Sequence, residues 1–552
     1  MLIDVNDLPA DTAIEADVCI IGAGPAGLVL GRELRGSGLR VVILEAGGVP
    51  RRDRRLGDAR IDLSEVSAFS PPPLVAPSFG GAANEWVVRL PWMRSGVRVV
   101  PLSPMDLEAR PWIPHSGWPM TWDELRRYYL RANSHLGLAG WGYDTDEWVD
   151  GRRPTMTFDE CGFTTAMERF ANADLFTRDH FDDIKRSADL TVYLNARVGE
   201  IVRRGDGVGH LEIDSDHDRP ITAVGRVVVV ACGGFRNAQL LFNANEGRSI
   251  GNTHDVLGRY YMDHVRVASG AISPPTPTLI RRLGLYDMVG GERGFRAAKI
   301  VPSAEVLERH RLLHSAAQIL PRVDSRVRAL LRRRDRDECE QRSRMSTTEV
   351  LRTAATVARA ALEMSLRQRR FPPRVDAGWS EVGVGDDIWS SFAVEHQIEQ
   401  VPDASNRVVR AEHVDRFGRR EVRLEWGWND ADLSSLATTL RLFRCAVAEA
   451  GLGTFQANPW DDGPVVTTPD GAYHPMGATR MSASPRTGVV DADSRVHGMS
   501  NLFVLGSSVF PTGGYANPVL TVVALAVRLG DLLRRELTTP LTARPRDQEM
   551  PG

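Results

Sequence analysis

The sequence predicts an α/β fold in two lobes. One is a layered strand-and-helix domain built from discontinuous segments, and the other an α+β domain with an antiparallel sheet. Three stretches carry this prediction. Asp17 to Gly47 reads as strand, glycine-rich turn, helix and strand. Val227 to about Asn237 repeats the order strand, double glycine, helix. Residues 391 to 428 alternate apolar and polar, as antiparallel strands do.

In the first stretch, Val18 to Ile21 is a short apolar run of strand length. Gly22, Gly24 and Gly27 follow as G-x-G-x-x-G. Gly22 allows a tight turn, Gly24 a close approach by pyrophosphate, and Gly27 close helix–strand packing. Ala26 to Arg35 reads as a helix with its N-terminus towards that anion. Gly36 to Gly38 ends it, because glycine accepts the positive φ of a C-cap. Arg40 to Ala46 is a second strand with Glu45 near its tip, 18 residues past Gly27. That spacing is close to the ~20 residues expected for a carboxylate on an adenosine ribose. Together these features predict a Rossmann-like dinucleotide domain. The form GAGPAG followed by LEAG resembles FAD-binding flavoproteins more than NAD dehydrogenases.

The chain has 552 residues, room for two or three domains. Its net charge of −3 gives no reason to expect nucleic acid. Five cysteines (Cys19, Cys161, Cys232, Cys339, Cys445) are scattered without a CxxC pair, so neither a disulfide framework nor a metal site is expected. Cys19 and Cys232 lie in or beside apolar runs and read as buried packing residues. The N-terminus lacks a signal-peptide pattern, and no segment approaches the ~18 unbroken apolar residues of a transmembrane segment. The expected location is cytoplasmic.

Along the chain, residues 51 to 75 read as an irregular connection. Gly80 and Gly81 then mark a loop that something must approach closely. The indoles Trp86, Trp92, Trp112, Trp118, Trp122 and Trp141 read mainly as packing. Thr121 looks like the N-cap of a helix running to about Leu136. Residues 191 to 232 read as strands, with Val227 to Ala231 buried. An arginine-rich stretch within residues 321 to 375 includes a helix near Glu349 to Leu366 and reads as a solvated face. A turn is expected at Asp415 to Arg419 and an amphipathic helix at 431 to 450.

The region from Tyr473 to Arg528 carries the chemistry. It holds His474 in a loop, a short strand at Asn501 to Leu505, and a buried helix opening near Asn517-Pro518. The blocks HPMGATRM and GGYANPVLT, with VLGRYYMDH at Val256 to His264, are specific in this order. On these motifs the chain resembles the glucose-methanol-choline (GMC) FAD-dependent oxidoreductases, near the bacterial pyranose-oxidase side of the family. The resemblance implies a catalytic pair, His474 and Asn517. Those residue types suit alcohol oxidation: an imidazole accepts the hydroxyl proton, and an amide holds the oxygen so that hydride goes to flavin N5. It also implies cofactor contacts from Gly22, Gly24, Gly27, Glu45, Gly80, Gly81, Asn84, Val198, Gly506, Asn517 and Pro518. His115, His264 and His497 read as structural.

The chain departs from the family at several points. Ala82 and Ala83 stand where hydroxyl residues are common, and Gly506 where an acid is common. Glu85 stands where relatives tether the flavin through histidine, so FAD is expected to be noncovalent. The expected borders are 1–100, 191–270 and 461–538 for the FAD domain, 101–190 for a cap segment, 271–460 for the substrate domain and 539–552 for a disordered tail. The expected substrate is a sugar-like, glycoside or aminocyclitol alcohol, with oxygen or an unidentified carrier as electron acceptor. The alternatives are a sterol or aliphatic alcohol, or a lyase on the same fold. An NADPH-dependent hydroxylase and a membrane-associated dehydrogenase rank below these.

Overall fold

A computed structural model describes residues 1–9, 11–49, 77–85, 96–149, 153–158, 161–172, 174–214, 221–273, 279, 283–291, 294–323, 345–367, 380, 389–459 and 474–538. The connection at 51 to 75, Trp86, Trp92, the arginine run before residue 345 and the tail after 538 lie outside these residues.

The first lobe is an eight-stranded mixed sheet. Strand Ala13–Ile21 sits at its centre, parallel to Val41–Leu44 on one side and Ile221–Val230 on the other. Leu190–Leu194 and then Leu2–Asp4 extend the sheet beyond Val41–Leu44, again in parallel. Past Ile221–Val230 the hairpin Arg197–Arg204 and Gly207–Asp214 continues it antiparallel. Leu502–Val504 pairs in parallel with the C-terminal half of Ile221–Val230. Val41–Leu44 and the C-terminal halves of the next two strands in the sheet, 18–21 and 227–230, are rich in β-branched residues and buried, as parallel strands between helices must be.

Helices Pro25–Glu33 and Val519–Thr538 pack together over this sheet. A Cβ on Gly530 would stand 2.9 Å from the Glu33 Cβ, so the glycine sets their spacing. The helix Trp122–His135 joins them through Arg131, which pairs with Glu33 and Asp531. It begins at Thr121 because a capping box closes there: Thr121 accepts from the Glu124 amide, and Glu124 accepts from the Thr121 amide.

The second lobe is an antiparallel sheet in the order Thr454–Ala457, Val265–Ser273, Trp389–Ile398, Ser315–Val323, Gly294–Pro302, Phe163–Asn172, Gly96–Val99. Two expected borders cut across it. Gly96–Val99 precedes residue 101, yet pairs with Phe163–Asn172. Val265–Ser273 begins before residue 271, yet pairs with Trp389–Ile398. Arg407–Val414 and Arg420–Glu425 form a separate hairpin closed by the turn at 415–419. Helix Asp430–Glu449 starts at the Asn429 cap.

The described indoles are packing residues. Trp118 packs on Phe510 and donates to Thr512, while Trp122 and Trp141 cluster around Tyr129.

Candidate active site

Separated segments of the first lobe meet at one cavity of about 380 Å³. Gly22 makes the turn after the first strand at φ +105°, where an added Cβ would stand 2.7 Å from the Ala231 carbonyl. A Cβ on Gly27 would fall 2.1 Å from the Gly22 carbonyl, so helix and turn touch only because it is glycine. A Cβ on Gly81 would reach 2.9 Å from Gly24 Cα, so the second glycine loop presses directly on the first. Gly24 caps the helix without a side-chain bond and Pro25 follows at its start. The first amides of that helix are therefore open to an anion in the cavity.

Glu45 lines the cavity and is 5% exposed. Its Oε2 accepts from the Ala23 amide at 2.8 Å and its Oε1 from the Gly47 amide at 2.9 Å. Burial pushes its carboxyl above the usual range, against those hydrogen bonds. Two amides leave part of a carboxylate's accepting capacity free for ribose hydroxyls. The uncapped helix start and this carboxylate fit the two ends of an adenosine diphosphate moiety, as FAD carries.

Gly22, Gly24, Glu45, Gly81, Val198, His474, Gly506, Asn517 and Pro518 all line the cavity. Gly27, Gly80 and Asn84 do not line it. Asn84 donates to the Phe79 and Gly81 carbonyls at 2.9 and 3.0 Å, and so shapes the second loop from behind. Cys232, expected as a buried packing residue, is half-buried and lines the cavity, because the strand stops at Val230 and the chain turns along its rim. Cys19 is fully buried.

At the other end of the cavity, His474 and Asn517 meet. Asn517 Nδ2 lies 3.2 Å from His474 Nε2, and Asn517 Oδ1 accepts from Gln397 Nε2 at 3.2 Å. His474 Nδ1 lies 3.0 Å from His264 Nδ1, and His264 Nε2 lies 2.7 Å from the Gly514 carbonyl. A carbonyl only accepts, so His264 carries its proton on Nε2 and presents a bare Nδ1. His474 must then donate from its own Nδ1 to that atom, which leaves Nε2 with a lone pair. The Asn517 amide donates to the same lone pair, so every bond in the chain agrees on one tautomer.

Both rings stay neutral near pH 7. Burial lowers His264 to about 4. His474 is held well below the usual range by burial, then by His264, Lys299, Arg266 and Arg98. Asp263 accepts the His474 backbone amide at 2.6 Å and the Tyr261 hydroxyl at 3.0 Å. Burial nevertheless raises its carboxyl to about 7.

Gly514 is locked from behind. At φ +52°, an added Cβ would collide with the Asp106 carboxylate. The Gly514 amide donates to Glu399 at 3.2 Å, and Glu399 takes both Arg110 terminal nitrogens at 2.8 and 2.5 Å.

Residues 402–526 match the model of the GMC oxidoreductase family, and residues 15–55 match that of an FAD binding domain. The C-terminal part of the chain thus carries a GMC oxidoreductase domain and its N-terminal part an FAD-binding segment. The chain is 34% identical over 142 residues to a C-glycoside 3-oxidase of Microbacterium trichothecenolyticum, covering 25% of the chain and 26% of the relative. It is 29% identical over 160 residues to a paromamine 6'-oxidase of Streptomyces fradiae, covering 29% of the chain and 28% of the relative. These matches thus span about a quarter of each relative's length. The fold is that of pyridoxine 4-oxidase from Mesorbium loti, at a TM-score of 0.53 and 16% identity, over 94% of this chain and 98% of that one.

Sequence reasoning missed His264, read there as structural. It touches the candidate base, and its signal was its place at the end of VLGRYYMDH. Gln397 and Glu399 carried no signal, and Gly514 only that of its place in GGYANPVLT. His497 is structural, with Nε2 3.0 Å from the Ser482 carbonyl.

Proposed function

We propose that this protein is a GMC-type FAD-dependent alcohol oxidoreductase that oxidises a CH–OH group of a sugar-like, glycoside or aminocyclitol molecule to a carbonyl. The observation that carries the reading is the lone pair on His474 Nε2, aimed at Asn517 on the rim of the nucleotide cavity. Bound FAD supplies the acceptor for the hydride of the carbinol. His474 takes the hydroxyl proton at Nε2. Its lowered basicity keeps it neutral, and therefore able to accept, at the pH where alcohols are offered to it. Asn517 holds the carbinol oxygen through its amide, and Gln397 fixes which way that amide faces. His264 and Gly514 keep the proton off Nε2 before substrate arrives.

Gly22, Gly24, Gly81, Val198, Gly506 and Pro518 contact the cofactor in this reading, and Glu45 takes its ribose. FAD is held noncovalently, with Glu85 where a tethering histidine would stand. Oxygen or a separate carrier takes the electrons onward. The similarity to a C-glycoside oxidase and a paromamine oxidase supports the sugar-like substrate class. Among the described residues no helix is long and apolar enough to cross a membrane.

Anaerobic bleaching of the flavin tests the reading across a panel of glycosides, free sugars, cyclitols, sterols and simple alcohols. Bleaching by a hydroxyl-rich member, with a carbonyl product, is the expected result. A panel that leaves the flavin yellow throughout would overturn it.

A further inference from the structure

The face of the antiparallel sheet that carries Gln397 meets the catalytic pair, and a row of charged side chains runs across it. Directly opposed residues, and residues two apart on a strand, share a face. Arg266 stands opposite Gln397, and Gln318 opposite Glu395, two residues before Gln397. The pairing of Ile300 with Ala317 sets Lys299 opposite Gln318. The pairing of Ala297 with Glu168 adds that carboxylate, and the pairing of Arg98 with Phe170 adds a third cation.

The charges are joined along this face. Arg266 pairs with Glu395 and lies 3.5 Å from Gln318. Lys299 Nζ is 3.0 Å from Glu168, and Arg98 Nε is 3.4 Å from the other oxygen of Glu168. Glu168 and Lys299 side chains are 3% exposed, whereas those of Arg98, Arg266 and Glu395 are 14%, 17% and 19% exposed. Sheet faces in a protein interior are ordinarily apolar, because burying charge costs more than burying carbon. Here a row of donors and acceptors is kept beside the reacting pair instead. Lys299, Arg266 and Arg98 are close enough to His474 to act on its proton affinity.

We propose that this face is the substrate wall, and that it selects a hydroxyl-rich ring that is neutral or anionic over an apolar alcohol or an amine-bearing ring. The inference rests on the alcohol-oxidation reading above and narrows it to the sugar-like and glycoside members, setting the aminocyclitol member aside. A hydroxyl can accept from Arg266 and donate to Glu395, so a polyol can replace the water these two groups lose on binding. A sterol or an alkyl chain cannot, and would leave them unpaired. Three cations against two carboxylates leave the wall net positive, which repels an ammonium group on the substrate.

Two variants and two readouts test this. Glu395→Gln keeps shape and removes one exposed carboxylate. The double variant Glu168→Gln with Lys299→Met removes the most buried pair together and leaves Arg98 a neutral amide oxygen in place of the carboxylate. Flavin content and melting temperature establish that each is folded. For each, we compare kcat/KM for a neutral glycoside, its amine-bearing analogue and a simple secondary alcohol. Calorimetry on the dithionite-reduced enzyme, which cannot turn the glycoside over, gives its Kd. The wild type is expected to prefer the glycoside to the simple alcohol and to the amine by at least about tenfold each. In both variants the glycoside-to-simple-alcohol ratio is expected to fall at least about tenfold, with a matching rise in Kd.

Equal losses on glycoside and simple alcohol, or an unchanged Kd, would overturn the wall while leaving alcohol oxidation intact. A wild type bleached only by sterols, alkyl alcohols or the amine would do the same. A wild type bleached by no alcohol would remove the oxidation reading, and this inference with it.

Discussion

Asn517 holds its amide between two fixed partners: Nδ2 lies 3.2 Å from His474 Nε2, and Oδ1 accepts from Gln397 Nε2 at 3.2 Å. Either contact alone would leave the amide free to flip. Together they set the donor towards the imidazole and hence towards any oxygen that displaces it. His474→Ala is therefore expected to keep its FAD and lose turnover by about 10²–10⁴-fold, the usual worth of a general base. Asn517→Ala is expected to slow flavin reduction less severely. Stopped-flow reduction of flavin-loaded protein checks both, and a fully active His474→Ala would remove that residue as the base.

His264 sets the tautomer of His474 without touching the substrate. His264→Ala removes the acceptor for the His474 Nδ1 proton and lets the proton move to Nε2. It also relieves part of the lowering of the His474 pKa, since His264 is one of its causes. The acid limb of the kcat profile is expected to move to higher pH, with kcat lower by about 10–100-fold, as for outer partners of catalytic histidines. A mere packing role would lower the melting temperature and leave the limb in place.

Glu45→Ala is expected to weaken FAD binding rather than chemistry. It also strands the amides of Ala23 and Gly47, at a cost of about 1–3 kcal/mol for a buried donor. Flavin content after dialysis should fall, while the reduction rate of the fraction still loaded stays near that of the parent.

Asp263 makes stability depend on pH. Its folded pKa of about 7 lies above the unfolded value of about 3.9. Between these the unfolded chain has released a proton that the folded protein still holds, so stability falls as pH rises from about 4 to about 7 and is flat beyond. Asp263→Asn can still accept the His474 amide and is expected to lose that dependence. The difference in melting temperature between the two proteins, followed from pH 4 to 8, checks it.

Acid precipitation is expected to release the flavin and leave a colourless pellet. A yellow pellet would contradict noncovalent FAD.

The first lobe was legible because its signals are local. Gly22, Gly24 and Gly27 stand within six residues, and Gly22 and Gly27 do at the turn what their lack of a side chain allows. The helix Trp122–His135 was legible to within a residue, since Thr121 and Glu124 cap it by themselves. What stayed hidden depends on contacts distant in sequence. His264 and His474 are 210 residues apart, and nothing near either one announces the other. The charged wall is spread over strands from Gly96–Val99 to Trp389–Ile398, and in each strand alone it looks like ordinary polar alternation. Domain borders failed for the same reason: Gly96–Val99 joins the sheet of its pairing partner, whatever its place along the chain.

The parallel sheet gains Leu502–Val504 only after a long detour through the other lobe, and His474 and Asn517 flank that strand in sequence. On a ribosome, the glycine turn that greets the cofactor emerges first, while the edge beside Val228–Val230 stays bare until nearly the whole message is read. A nascent chain stopped before residue 502 already holds the glycine turn and Glu45, but lacks the strand, Gly506 and Asn517 that complete the cavity wall.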